Sequence, residues 1–118
     1  MLRYASGGHP PALLIDRSHQ EMDLDTQGMP IGFFPQAKYD APAVQVPPAS
    51  RVYVFSDGCY EIQRSDGELW TKEEMTPYLN NLPSDDLLQL DALYRHALRM
   101  RGGESLEDDF SIVCVMFP

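Results

Sequence analysis

The sequence predicts an α+β fold, and three observations carry that expectation. Short apolar runs at residues 2–5, 12–15, 52–55 and 110–117 have the length and the β-branched or aromatic content of strands. A compact helical part with its own start and stop signals lies at residues 71–101. The length of 118 residues fits one domain, and an apolar content of 43% is that of a globular chain rather than a disordered one.

Residues 2–5 alternate apolar and polar, the period of a half-buried strand. The chain is already in that strand at its start, which points to a piece of something longer. Two glycines and two prolines at residues 6–11 leave no regular structure there. Ala12, Leu13, Leu14 and Ile15 form a second strand, expected to pair with the first as a hairpin with a wide connection. Residues 16–25 predict an exposed turn and a short edge strand around Met22 and Leu24. Residues 27–32 are irregular, and Phe33 and Phe34 are expected to supply bulky core material. Residues 39–46 can form a strand, confined to an edge or a bulge by Pro42. Pro47 and Pro48 turn the chain into the central strand at 52–55, expected to be covered on both faces. Residues 63–67 read as a polar turn.

Thr71-Lys72-Glu73-Glu74 matches a capping box. The short helix that it opens places Met75, Tyr78 and Leu79 on one side and ends near Asn80, Asn81 and Pro83. Pro77 lies past the first turn, so a kink or break is expected there, or a restart with Thr76 as cap. Ser84 then caps a longer helix, with Asp85 and Asp86 favourably placed against the helix dipole. Leu87, Leu90, Tyr94 and Ala97, joined by Leu93 and Met100, make its apolar face. Gly102 and Gly103 stop it. The run at 110–117 closes the chain as a strand, again expected to be buried on both sides.

The net charge of -9 argues against nucleic acid as a partner, since nothing here neutralises phosphates in a row. The two cysteines, Cys59 and Cys114, lie far apart beside apolar strands and read as buried reduced thiols, not as a disulfide or a zinc site. No signal peptide and no apolar run long enough for a bilayer are present, so a cytoplasmic location away from the membrane is expected.

The candidate chemistry sits at strand ends. The central strand leads into Ser56-Asp57-Gly58, where the glycine allows a sharp or left-handed turn. An acidic side chain at the mouth of a rigid strand suits a hard cation, which takes oxygen ligands. An Asp-Gly pair is equally a plain turn signal. Asp108 and Asp109 stand at the entrance of the closing strand. If the two strands are antiparallel neighbours, these carboxylates meet at one rim, where like charges repel unless a cation sits between them. His9 is open to two readings, a ligand or base, and a side chain that bonds its own loop backbone.

Four segments then fall into a known order. Tyr4-Ala5-Ser6-Gly7-Gly8-His9-Pro10-Pro11-Ala12-Leu13-Leu14 resembles the Asn-Ala-Gly-His-x-Pro motif of bacterial PP2C-like serine/threonine phosphatases of the SpoIIE/RsbU type. Gly28-Met29-Pro30-Ile31-Gly32 resembles their Gly-x-Pro-Leu-Gly segment, and Ser56-Asp57-Gly58-Cys59-Tyr60-Glu61 their Thr-Asp-Gly-x-x-Glu. Asp108-Asp109-Phe110-Ser111-Ile112-Val113 resembles their terminal Asp-Asp-x-Thr motif, followed by the last strand. The resemblance implies a PP2C-like sandwich of two antiparallel β-sheets flanked by helices, with residues 1–118 as the C-terminal portion of a single domain. It implies a two-metal site for Mn²⁺ or Mg²⁺, whose bridging water attacks phosphoserine or phosphothreonine without a phosphoenzyme. By the same resemblance Asp57 and Asp108 are the metal ligands, with Asp109 and Gly58 supporting them from behind. No residue here is assigned a direct catalytic role, and Gly8 and His9 align with a structural loop.

Ser56 and Ser111 stand where the family has Thr, and Gly7 where it has Ala. The family's opening motif, a Gly-Asp-x-x-Gly-His-Gly-like loop that supplies the bridging aspartate, is not in this chain. Two carboxylates alone are expected to hold divalent metal weakly and the chain alone to be inactive or nearly so. The resemblance points to a phosphorylated regulatory protein as substrate, such as an anti-sigma-factor antagonist, and to an upstream receiver or sensor domain. Unpaired sheet edges are expected to favour a homodimer. The competing reading is a non-catalytic pseudophosphatase or partner-binding module, against which the retention of both Asp57 and Asp108 counts.

Overall fold

The structure, a computed structural model, describes residues 1–83, 88–103 and 105–118. The described strands are β1 (Leu2–Arg3), β2 (Ala12–Ile15), β3 (Glu21–Leu24), β4 (Ala43–Val44), β5 (Arg51–Phe55), β6 (Ile62–Gln63), β7 (Leu69–Trp70) and β8 (Ile112–Met116). The helices are α1 (Lys72–Asn80) and α2 (Gln89–Met100). The fold is α+β with antiparallel sheets, the class expected from the sequence. The four-stranded sheet has the order β3-β2-β5-β8, and β1-β4 and β6-β7 form separate pairs. Two compact units share the chain, residues 1–54 with 115–118 and residues 55–114.

In the first unit β2 pairs with β3 and β5, with Leu13 opposite both Asp23 and Tyr53. The β2–β3 turn is tight because the Asp16 carboxylate accepts the amides of Ser18 at 2.7 Å and Gln20 at 3.0 Å. The expected hairpin of the first two strands does not form. β1 pairs with β4 instead, Leu2 opposite Val44. The loop at 6–11 carries the chain out of hairpin reach, and β2 closes locally on β3. The predicted strand over 39–46 shrinks to β4, which begins just after Pro42; that proline's carbonyl accepts the Tyr4 amide at 3.2 Å.

Alternation along β2 sets the packing. Leu14 joins Leu24 and Val52 in a cluster against Leu2, Tyr4, Val44 and Phe117. Leu13, Ile15 and Tyr53 are buried too, and so is Arg51, whose Nη1 donates to Tyr53 Oη at 3.1 Å. Its guanidinium carbon also lies 5.8 Å from the Tyr53 ring centroid. Phe33 and Phe34 are not core. They are 69% and 57% exposed, on a segment with no regular structure to hold them inward.

β5 is covered on both faces except at Val54, as expected for most of its length, whereas β8 is not. Val54 and Val115 are exposed and wall an apolar cavity of about 500 Å³ with Leu2, Tyr4, Val52 and Phe117. β8 is the outermost strand of its sheet, and Val113 is 59% exposed. Backbone bonds from Phe117 N to Ser50 O and from Ser56 N to Ser111 O, both 2.9 Å, make β5 and β8 antiparallel.

In the second unit the β6–β7 hairpin, too short to leave a period in the sequence, pairs Ile62 with Trp70. α1 starts as expected, with the Glu74 carboxylate accepting the Thr71 amide at 3.0 Å. Backbone bonding of the cap and the Arg64 guanidinium hold the Glu74 carboxyl below its ordinary range. Pro77 neither breaks α1 nor restarts it. The bond it removes would end on Glu73, which faces solvent as Pro77 does, so water serves the freed carbonyl. Met75 and Leu79 are buried one turn apart.

The predicted cap at Ser84, with Asp85, Asp86 and Leu87, lies outside the described residues. α2 buries Gln89, Leu93 and Ala97, a spacing of one residue every four positions. Tyr94 is therefore off the buried stripe, exposed and edge-on to Phe110 at 5.3 Å. Gly102 and Gly103 end α2 as expected, at φ of 90° and 80°, with the Gly103 amide returning to Leu98 O at 2.7 Å. Among the described residues no helix is long and apolar enough to cross a membrane.

His96 of α2 stacks on Tyr78 of α1 at 4.4 Å and meets Trp70 of β7 edge-on at 5.6 Å. Burial, then the charges of Arg99 and Arg64, hold its imidazole below the usual 6.5. The unfolded chain thus takes up this proton at higher pH than the folded one. Stability is full above 6.5 and falls as the pH drops through that value. Urea unfolding at pH 7.5 and 5.5 should show the loss, and His96→Gln should reduce it; an unchanged slope would remove His96 as its source. Pro77→Ala restores an amide donor and is expected to raise stability by up to about 3 kcal/mol, read from the urea midpoint.

Candidate functional site

β5 delivers the chain to Ser56 in extended conformation, after which Asp57–Cys59 make one turn of 3₁₀ helix. Asp57 O closes it, accepting the amides of Tyr60 at 3.1 Å and Glu61 at 2.9 Å. The turn is sharp but not left-handed, so the need for glycine at position 58 is one of space. A Cβ there would lie 2.2 Å from the Asp109 carbonyl oxygen and 3.4 Å from Asp108 Cβ. Gly58 is thus pressed against the Asp109 carbonyl and Asp108 Cβ, and the two acidic loops are neighbours.

Ser56 locks them together. Its hydroxyl donates to Asp109 O at 2.9 Å and accepts the Ser111 amide at 3.1 Å, while its own amide donates to Ser111 O at 2.9 Å. The buried Cys59 thiol also donates to Ser111 O, at 3.3 Å. Burial, only partly offset by these hydrogen bonds, pushes the Cys59 thiol up, so it stays protonated and is no nucleophile. Asp109 works through its backbone. Its amide donates to Asp108 Oδ1 at 2.7 Å, which steadies that carboxylate.

Asp57 and Asp108 are both exposed at these adjoining loops. Carboxylate oxygens are the right donors for Mn²⁺ or Mg²⁺. The number is short: among the described residues no three His, Cys, Asp or Glu side chains gather as a metal-holding group. The donors therefore fit such a cation in kind and supply part of a ligand set. A recess of about 10 Å³, room for a single water, lies beside them between Gly58, Asp108, Glu107 and Arg101. His9 takes the plainer of its two readings. Its Nδ1 donates to Pro10 O at 2.9 Å, and its backbone bonds the Ser6 hydroxyl.

Sequence reasoning missed Ser56 as the lock. The one available signal was a hydroxyl directly before Asp57, and its partners lie 53 and 55 residues away. Ser56→Ala removes two exposed hydrogen bonds between the loops and is expected to cost about 1 kcal/mol, measured by urea unfolding. Gly58→Ala is expected to cost about as much or more, because backbone must move; a neutral Gly58→Ala would disprove the close approach.

A family model described as "Stage II sporulation protein E (SpoIIE)" matches residues 1–118. No curated protein matches the chain. Among solved structures, the PP2C phosphatase domain with a fragment of the regulatory domain of the cell fate determinant SpoIIE from Bacillus subtilis aligns with a TM-score of 0.80 at 22% identity, over 98% of this chain and 33% of that one. The SiaA PP2C domain of Pseudomonas aeruginosa aligns at 0.75 and 18%, over 98% and 47%. An Mn-presoaked phosphatase domain of Bacillus subtilis SpoIIE aligns at 0.72 and 22%, over 98% and 49%. The chain spans about a third to a half of the length of these solved chains. At such identities the likeness is one of fold. The family match runs the whole length of the sequence, and the chain belongs to the SpoIIE family.

Proposed function

We propose that residues 1–118 are the C-terminal portion of a metal-dependent protein serine/threonine phosphatase domain. The observation that carries this reading is the seating of Gly58 against the Asp109 carbonyl and Asp108 Cβ, which puts Asp57 and Asp108 on adjoining loops. These two carboxylates would hold the Mn²⁺ or Mg²⁺, and the relative solved after Mn presoaking supports the choice of cation. When bound, paired cations make water acidic enough to serve as nucleophile and offset the charge of the phosphoryl group. The chain's part is to fix the two carboxylates, through Ser56 and Gly58, before any cation arrives. Mg²⁺ demands a near-octahedral ligand set, so two carboxylates hold it poorly, and this chain alone turns over little or nothing. The family resemblance puts a phosphorylated regulatory protein, such as an anti-sigma-factor antagonist, in the role of substrate, with a receiver or sensor domain upstream.

Calorimetric titration with Mn²⁺ tests the assignment without needing turnover. Weak saturable binding is expected, and Asp57→Ala or Asp108→Ala should weaken it at least about tenfold. No binding, or binding indifferent to both substitutions, overturns the metal assignment. Mn²⁺-dependent hydrolysis of p-nitrophenyl phosphate by this chain alone would overturn the claim that its ligand set is incomplete.

A further inference from the structure

Arg64 in the β6–β7 turn and Arg101 just after α2 line an open cavity of about 510 Å³ with Gln63, Ser65, Gly67 and Gly102. The backbone holds this place firmly. The Ser65 amide donates at 2.9 Å to Met100 O, a carbonyl in the last turn of α2, and the Gly67 amide donates to Arg64 O at 3.0 Å. Each guanidinium is held on one side. Arg64 Nη2 donates to Glu74 at 2.5 Å, and that carboxylate is itself tied to the Thr71 amide. Arg101 Nη2 pairs with Glu107, and its Nη1 reaches Gln63 O at 3.4 Å. The Nε of both arginines is enclosed without a hydrogen-bond partner.

A guanidinium carries five donors in a planar fork, and one carboxylate contact leaves much of the fork unused. Glu74 and Glu107 are substantially exposed, and exposed ion pairs of this kind exchange partners at little cost. Arg101 also walls the small recess that holds Gly58 and Asp108. Within this unit the cavity and the recess beside the candidate metal loops therefore share two residues, Gln63 and Arg101. A substrate with its phosphoryl group at Asp57 and Asp108 would bring its flanking residues to Arg101 first.

We propose that Arg64 and Arg101 form an oxyanion subsite that takes a carboxylate side chain flanking the phosphorylated residue of the protein substrate. The identity of that ligand rests on the phosphatase reading above. The subsite gives the reaction a sequence preference, since a chain of net charge -9 otherwise repels acidic partners. Asp66, Glu74, Glu107 and Asp108 limit it to ligands that reach the fork edges directly.

The test is peptide binding in EDTA, followed by amide shifts in heteronuclear NMR on the full chain. Two phosphoserine peptides are compared, one with glutamates beside the phosphoserine and one with alanines there. The acidic peptide is expected to bind at least about fivefold tighter and to shift the amides of Ser65, Gly67 and Gly102. Arg64→Gln with Arg101→Gln should abolish the preference, and Arg17→Gln, at an exposed position outside the site, should leave it intact. Equal affinity for the two peptides, or a preference that survives the double substitution, overturns the proposal. If the glutamine variant fails to fold, Arg64→Lys with Arg101→Lys keeps the charge without the fork; an undiminished preference there also overturns it. Turnover of a completed domain in Mn²⁺ is scored separately. Its absence alongside a clear peptide preference sinks the phosphatase reading and leaves the anion subsite standing.

Discussion

At Gly58 the chain passes so close to the Asp109 carbonyl that no side chain fits between them. The rest of the candidate site follows from that contact. It forces the β5 exit to turn tightly, which leaves the Asp57 side chain outside while Gly58 and Cys59 go inside. It also brings the peptide of the second acidic pair within reach of the Ser56 hydroxyl. That hydroxyl both donates and accepts across the contact, so it has little freedom to reorient. Two exposed carboxylates are thereby held on rigid backbone rather than on mobile loops. Positioning of this kind is what a cation site needs from its protein, since the ion supplies the chemistry.

The second unit shows how an acidic chain can still present positive groups. Its arginines are not scattered at random over the surface. Arg64 leans on the capping carboxylate of α1, and Arg101 follows the end of α2, where a cation meets the negative pole of the helix dipole. The same short hairpin supports both. Helix packing and charge placement are therefore one problem here: moving α2 along its axis would move Arg101 away from Gln63 and Glu107 together.

The sequence was most legible where structure is local. A threonine three residues before a glutamate announces the start of α1, and paired glycines at left-handed angles announce the end of α2. The neighbouring of Asp57 and Asp108 was legible too, because antiparallel strands put opposite ends at one rim. Pairing between distant strands was not. Nothing in Leu2 and Arg3 names Ala43 and Val44 as partners, and a strand of two residues has no period to read. Burial on the two faces was misjudged for β8, because an apolar run looks the same in the middle of a sheet and at its edge. Phe33 and Phe34 misled for a related reason: an aromatic pair signals a core only when regular structure carries it inward. Buried Arg51 and Gln89 left no trace in composition, since each is accommodated by partners that folding brings together.

β8 is tied to β5 at both ends, by Phe117 to Ser50 and by Ser111 to Ser56. Side chains alternate along a strand, and each residue advances it by about 3.3 Å. A shift of one position would therefore displace Asp108 by that distance and turn every residue of β8 to the opposite face. Insertions and deletions should be excluded between residues 108 and 117. The spacing from Asp108 to the last strand is thus a fixed length that any chain keeping this site has to preserve.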